Sequence, residues 1–163
     1  MQRQKTEHNY INILKESLQE KKKCLNQLLA INKEFEELVS CEDMNYDLFD
    51  KNMEAKNEVI KKLENLDDGF VSVYNRVNEL LVNDKDTYAE DIRLLKEDIR
   101  EVTDLTVKLE VSEKKNKDAF DNRMGVMENK IKAGRTGNKV AINYYQNMTK
   151  QKVIEPQFMD KKK

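Results

Sequence analysis

Proline occurs once and glycine four times in this chain of 163 residues, and tryptophan does not occur at all. Proline and glycine interrupt helices most strongly, so their scarcity favours long helices over strands joined by tight turns. Long apolar runs are also missing. The longest wholly apolar stretch is Leu28 to Ile31, far short of the roughly 20 residues that a membrane-spanning helix needs. Met1 to Lys5 leads into nothing that resembles a signal peptide. A cytoplasmic protein without an integral membrane segment is expected. Cys24 and Cys41 are the only cysteines. On one helix they would stand about 25 Å apart, beyond disulfide reach, and two reduced thiols fit a cytosolic compartment.

Catalytic patterns are just as sparse. The single histidine, His8, has Glu7 beside it and no spaced ligand set. Neither cysteine belongs to a Cys-x-x-Cys pair, and no His-Glu-x-x-His or nucleophile-elbow pattern occurs. Acid pairs such as Glu36-Glu37 and Asp67-Asp68 read as solvated helix faces. "GRTGNK", starting at Gly134, has a Gly-x-x-Gly-x-Lys order but lacks the phosphate-loop spacing, with Val140 where a hydroxyl residue is required. A helix stop at Gly134 and a joint at Gly137 explain it better. These absences point away from an enzyme, and no cofactor or metal is expected.

What the chain does have is charge, 37% of its residues against 38% hydrophobic. That proportion suits a narrow core with wet outer faces. The formal net charge of -1 hides an asymmetry: residues 1–129 hold 21 Lys and Arg against 29 Asp and Glu, and residues 130–163 hold 9 against 2. An acidic body thus carries a basic tail. Nucleic-acid binding is disfavoured, because the body is acidic and the tail has no long basic cluster before Lys161.

Apolar residues recur at helical spacing in three long segments. From about 7 to 40 the stripe comprises Ile11, Leu14, Leu18, Leu25, Leu28, Phe35 and Val39. Lys21 and Asn32 fall on the same seam, where a wet gap, a register-setting contact or a snorkelling lysine would fit. "SCEDMNYD" supplies several capping residues and marks a turn. A second helix is expected over about 46–81, with Val59, Leu63, Leu66, Phe70, Val73, Val77 and Leu80 alternating four and three. Gly69 interrupts it, either permitting close helix approach or merely tolerated. "VNDKD" marks another turn, and Thr87 with Glu90 matches a capping box. A third helix over about 88–132 carries Ile92, Leu95, Ile99, Val102, Leu105 and Leu109, then only Phe120, Met124, Met127 and Ile131.

Short turns between long helices imply an all-α, elongated, up-down-up antiparallel three-helix bundle, coiled-coil-like, over 1–132. The third helix, about 65 Å against about 50 Å for the others, is expected to overhang. Its last turns would then be covered by the tail, by a second copy of the chain in a homodimer, or by another partner. Residues 133–163 form the tail. If 139–149 become helical, Val140, Ala141, Tyr144, Tyr145 and Met148 share one face, a docking stripe too short to be stable alone.

The first hairpin, "LNQLLAINKEFEELVSCEDMNYDLFDKNMEAKNEVIKKLENLDDGF", and the third-helix stretch "IREVTDLTVKLEVSEKKN" resemble the FlgN family of flagellar export chaperones. The likeness lies in helical layout, in a Leu-Leu…Glu…Leu run before a short acidic turn, and in Lys56…Ile60…Leu63; it covers about residues 8–148. It implies a cytoplasmic chaperone that binds hook-associated flagellar proteins, prevents their premature assembly and delivers them to the flagellar type III export gate. Carried onto this chain, Phe120, Met124, Met127, Ile131 and Val140 become client contacts, and Tyr144 and Tyr145 serve the export gate. Two rival readings remain: a structural helical spacer, and an export chaperone for a different client such as the filament cap.

Overall fold

The computed structural model describes the backbone of residues 2–134 and the side chains of residues 5–130. It is a three-helix bundle built from α1 (Gln2–Ser40), α2 (Tyr46–Asn83) and α3 (Ala89–Gly134). No strand occurs among the described residues. α2 opens on Asn45, whose side chain accepts a hydrogen bond from the backbone N–H of Leu48 at 3.2 Å. This satisfies one of the donors that every helix start leaves unpaired. The capping box expected of Thr87 and Glu90 does not form. Thr87 donates to Asp84, and both Glu90 carboxylate oxygens accept from Arg93.

α1 is the central helix, packing along both α2 and α3. Its seam residues Ile11, Leu14, Leu18, Leu25, Leu28, Phe35 and Val39 are all buried. Against α3 that packing is tied by charge. Lys15 pairs with Asp91, and Lys22 pairs with Asp98 and Glu101. Farther along, Asn32 donates to Ser112 and Glu113, and Arg123 donates to the carbonyl of Glu42. This register carries α3 alongside the whole of α1.

Apolar layers fill the core along the axis, with one polar layer between them. Near the first residues of α1, Ile11, Leu14 and Leu18 pack with Val77, Tyr88 and Leu95. Cys24, Leu25 and Leu28 then meet Ile60, Leu63 and Leu109. A buried polar layer follows: Asn32, Asn52, Lys56 and Asn116, with Lys56 Nζ 2.6 Å from Glu113. Such a layer costs stability and fixes register, because any slip would leave its charges and amides facing apolar groups. Beyond it lies an aromatic cluster of Phe35, Phe49 and Phe120 with Val39, Met44 and Met124.

That cluster corrects one expectation. Phe120 and Met124 were candidates for the bare edge of an overhanging helix, yet they are 1% and 3% exposed. The turn after α1 and the first turn of α2 cover them with Met44 and Phe49, and Met127 packs against the same cluster. Of the side chains beyond it, Glu128, Asn129 and Lys130 are exposed. Ile131 lies in α3, but its side chain falls outside the described residues, as do Val140, Tyr144, Tyr145 and the whole expected 139–149 helix.

Candidate functional site: a groove between α2 and α3

Because α1 carries most of the helix packing, α2 and α3 form two walls beside it and meet chiefly where large side chains reach across. Phe49 and Phe120 stack with ring centroids 5.9 Å apart, and Lys56 reaches Glu113. Toward the middle of the bundle α3 offers Thr103 and Thr106 where a filled core would need larger apolar groups. There the walls enclose an open cavity of about 310 Å³.

Leu18, Lys21 and Leu25 of α1 make the floor of this cavity. On the α2 side it is lined by Leu63, Asp67, Phe70, Val71 and Tyr74. Ile99 and Val102 join the two threonines on the α3 side. The threonine hydroxyls are already occupied: Thr103 donates to the Ile99 carbonyl at 2.8 Å, and Thr106 donates to the Val102 carbonyl at 2.7 Å. With those hydroxyls turned back on their own helix, the α3 wall behaves as apolar surface. Three large apolar residues of the lining remain in water: Val71 is 50% exposed, and Tyr74 and Ile99 are each 38% exposed. Single exposed apolar side chains are common, but a cluster around a concavity marks an interaction surface.

The one charged group in the floor is neutralised in place. Lys21 is 7% exposed, with Nζ 2.8 Å from Asp67 Oδ1 and 4.0 Å from the centroid of the Phe70 ring. Phe70 in turn stacks on Tyr74 at 5.7 Å. The lysine therefore stiffens the α2 wall by joining an ion pair to a cation–π contact. The seam reading singled out Lys21 as a possible gap, and a gap is what lies above it.

Among the described residues, no group of three or more His, Cys, Asp or Glu is placed to hold a metal ion. Burial pushes the Cys24 thiol up from its ordinary value, which keeps it protonated and unreactive. No described helix is long and apolar enough to cross a membrane. What the groove can do is receive another apolar surface.

No protein-family model, curated protein or solved structure matches the chain. The groove itself was not among the residues that the sequence singled out as a site. Leu63, Phe70, Ile99 and Val102 have seam spacing and read as ordinary core. The usable signals were the lysine on the α1 seam and the pair of threonines facing it from α3.

Proposed function

We propose that this chain is a non-catalytic binding protein that shelters an amphipathic helix of an export client in the groove between α2 and α3. The observation that carries the proposal is the exposed set Val71, Tyr74 and Ile99 around a concavity of about 310 Å³. The groove runs from Leu63 to Tyr74 on α2, about 16 Å or three helical turns. A guest helix of that length presents apolar anchors at i, i+3 or i+4 and i+7. A purely structural spacer has no use for exposed Val71, Tyr74 and Ile99 grouped around a concavity, so binding is the better reading.

The client class comes from the resemblance to the FlgN family. On that reading the clients are hook-associated flagellar subunits, held in the cytoplasm from premature assembly and passed to the type III export gate, with Tyr144 and Tyr145 as gate contacts. The client contacts move from Phe120 and Met124, which fill the protein's own core, to the groove. Titration of purified hook-associated subunits against the wild-type chain and Ile99→Asp tests this. The variant is expected to keep its helicity and to bind at least about 30-fold more weakly, the ~2 kcal/mol of a central interface anchor. Equal affinity for both proteins would remove the groove from the client site.

A further inference from the structure

We infer that, before any client arrives, the groove is filled by residues 140–148 of a second copy of this chain, giving a reciprocally exchanged homodimer. The inference rests on the groove being a helix-docking site, and not on which client it takes.

Length selects the segment. As a helix, 139–149 is about 16 Å long at ~1.5 Å per residue, the same as the groove wall from Leu63 to Tyr74. Its stripe of Val140, Ala141, Tyr144, Tyr145 and Met148 is apolar and aromatic, as are Phe70, Val71, Tyr74 and Ile99 opposite it.

Reach then decides between the chain's own groove and a neighbour's. α3 ends at Gly134, and its nearest groove residue, Thr106, lies about 42 Å back along the helix at ~1.5 Å per residue. Tyr144 follows Gly134 by ten residues, which span at most about 36 Å when fully extended. Coiling 139–149 into a helix shortens that reach to about 25 Å. As a helix, the stripe therefore falls short of the groove of its own molecule, even at Met148, about 32 Å from Gly134. Nearer Gly134, Phe120 and Met124 are covered by Met44 and Phe49, and Leu48, Val111 and Val126 are exposed there as single apolar side chains, an ordinary feature of a protein surface. A second copy supplies the missing groove with no such limit.

Exchange also gives enough contact. Two tyrosines per segment in two equivalent sites bury about 600–1,000 Å² from the tyrosines alone, at ~150–250 Å² each. Adding the facing groove walls brings the total into the range of stable interfaces, above about 1,200 Å². In such a dimer the proposed client groove and the two tail tyrosines mask each other, so a client that enters one groove frees one tail.

Sedimentation of the full-length chain, with no client present, tests this. Wild type is expected at twice its chain mass of 19.3 kDa. Ile99→Asp alone and Tyr144→Asp/Tyr145→Asp alone are each expected to weaken self-association at least tenfold. An equimolar mixture of the two variants is expected to associate more tightly than either alone and more weakly than wild type, since one intact tail–groove pair of the two is restored. A monomeric wild type at 100 µM overturns the inference, as does a dimer that survives both variants or a mixture that associates no more tightly than either variant alone. Because client titration is a separate measurement, a failed dimer with groove-dependent client binding would leave the proposed function standing.

Discussion

Two regions of the α2–α3 interface solve the same packing problem differently. Where Phe49 faces Phe120, three phenylalanines with Val39, Met44 and Met124 fill the space between the walls. Where Phe70 faces Ile99, the opposing helix supplies threonines, and a cavity is left with a neutralised lysine beneath it. The first region spends its apolar area on stability. The second keeps exposed apolar area, which stabilises nothing until something covers it. The position of an apolar stripe along a helix therefore says less about binding than the size of the residues facing it.

The contrast is sharpest in truncation variants. Phe120→Ala removes a ring that touches both Phe35 and Phe49 and is expected to cost about 3–5 kcal/mol in urea denaturation. Tyr74→Ala, at the open region, is expected to cost less than about 1 kcal/mol while weakening client binding. Reversed magnitudes would mean the two regions have been assigned the wrong way round. Glu113→Ala lies between the regions and leaves Lys56 buried without its carboxylate. Its expected cost is about 2–3 kcal/mol, below the ~3–5 of a fully enclosed pair because both side chains keep some solvent contact. An unchanged urea midpoint would show that the polar layer does not hold the register.

Alkaline pH should loosen the seam between α1 and α3 more than either region of the α2–α3 interface. Burial alone would lower the Lys22 pKa, but hydrogen bonds and charge from Asp98 and Glu101 outweigh it and hold the ammonium above its ordinary value. A hydrogen bond to Glu7 raises the Tyr88 phenol. Both groups hold their protons more tightly when folded. Their stabilisation is complete below the ordinary values of 10.5 and 10.0 and is lost as pH rises through the folded values. Melting temperature should therefore fall above about pH 10, and less steeply in Tyr88→Phe. An identical alkaline profile in that variant would remove Tyr88 from the account. The smallest expected effect is a gain. A Cβ at Gly69 meets nothing within 4 Å, so Gly69→Ala should raise stability by nearly 1 kcal/mol, and a loss would reveal helix contacts there.

Most of the fold was legible because burial in this bundle follows helical spacing. Seven seam residues of α1, read from periodicity alone, are buried, and Gly69 proves to be tolerated rather than required for close approach. The closed end escaped the reading because helix lengths alone predict an overhang. Phe49 stands between Asp47 and Asp50, ten residues before the α2 seam becomes regular at Val59, and Met44 lies in a turn. Neither residue belongs to a repeating pattern. The groove escaped for the opposite reason: its residues fit the pattern so well that periodicity counts them as core. Whether a seam position is filled depends on the residue across from it, and pairing α2 with α3 requires the register that Lys56 and Glu113 set. Lys21 on the α1 seam and Thr103 and Thr106 facing it from α3 were the only signs of the gap.

Methyl NMR of the full-length chain during titration with a purified hook-associated flagellar subunit tests the central claim most directly. The account predicts that the methyls of Val71, Ile99 and Val102 shift on binding, while those of Val39, Met44 and Met124 hold their positions. Shifts confined to the aromatic end, with the groove methyls unmoved at saturation, would contradict it.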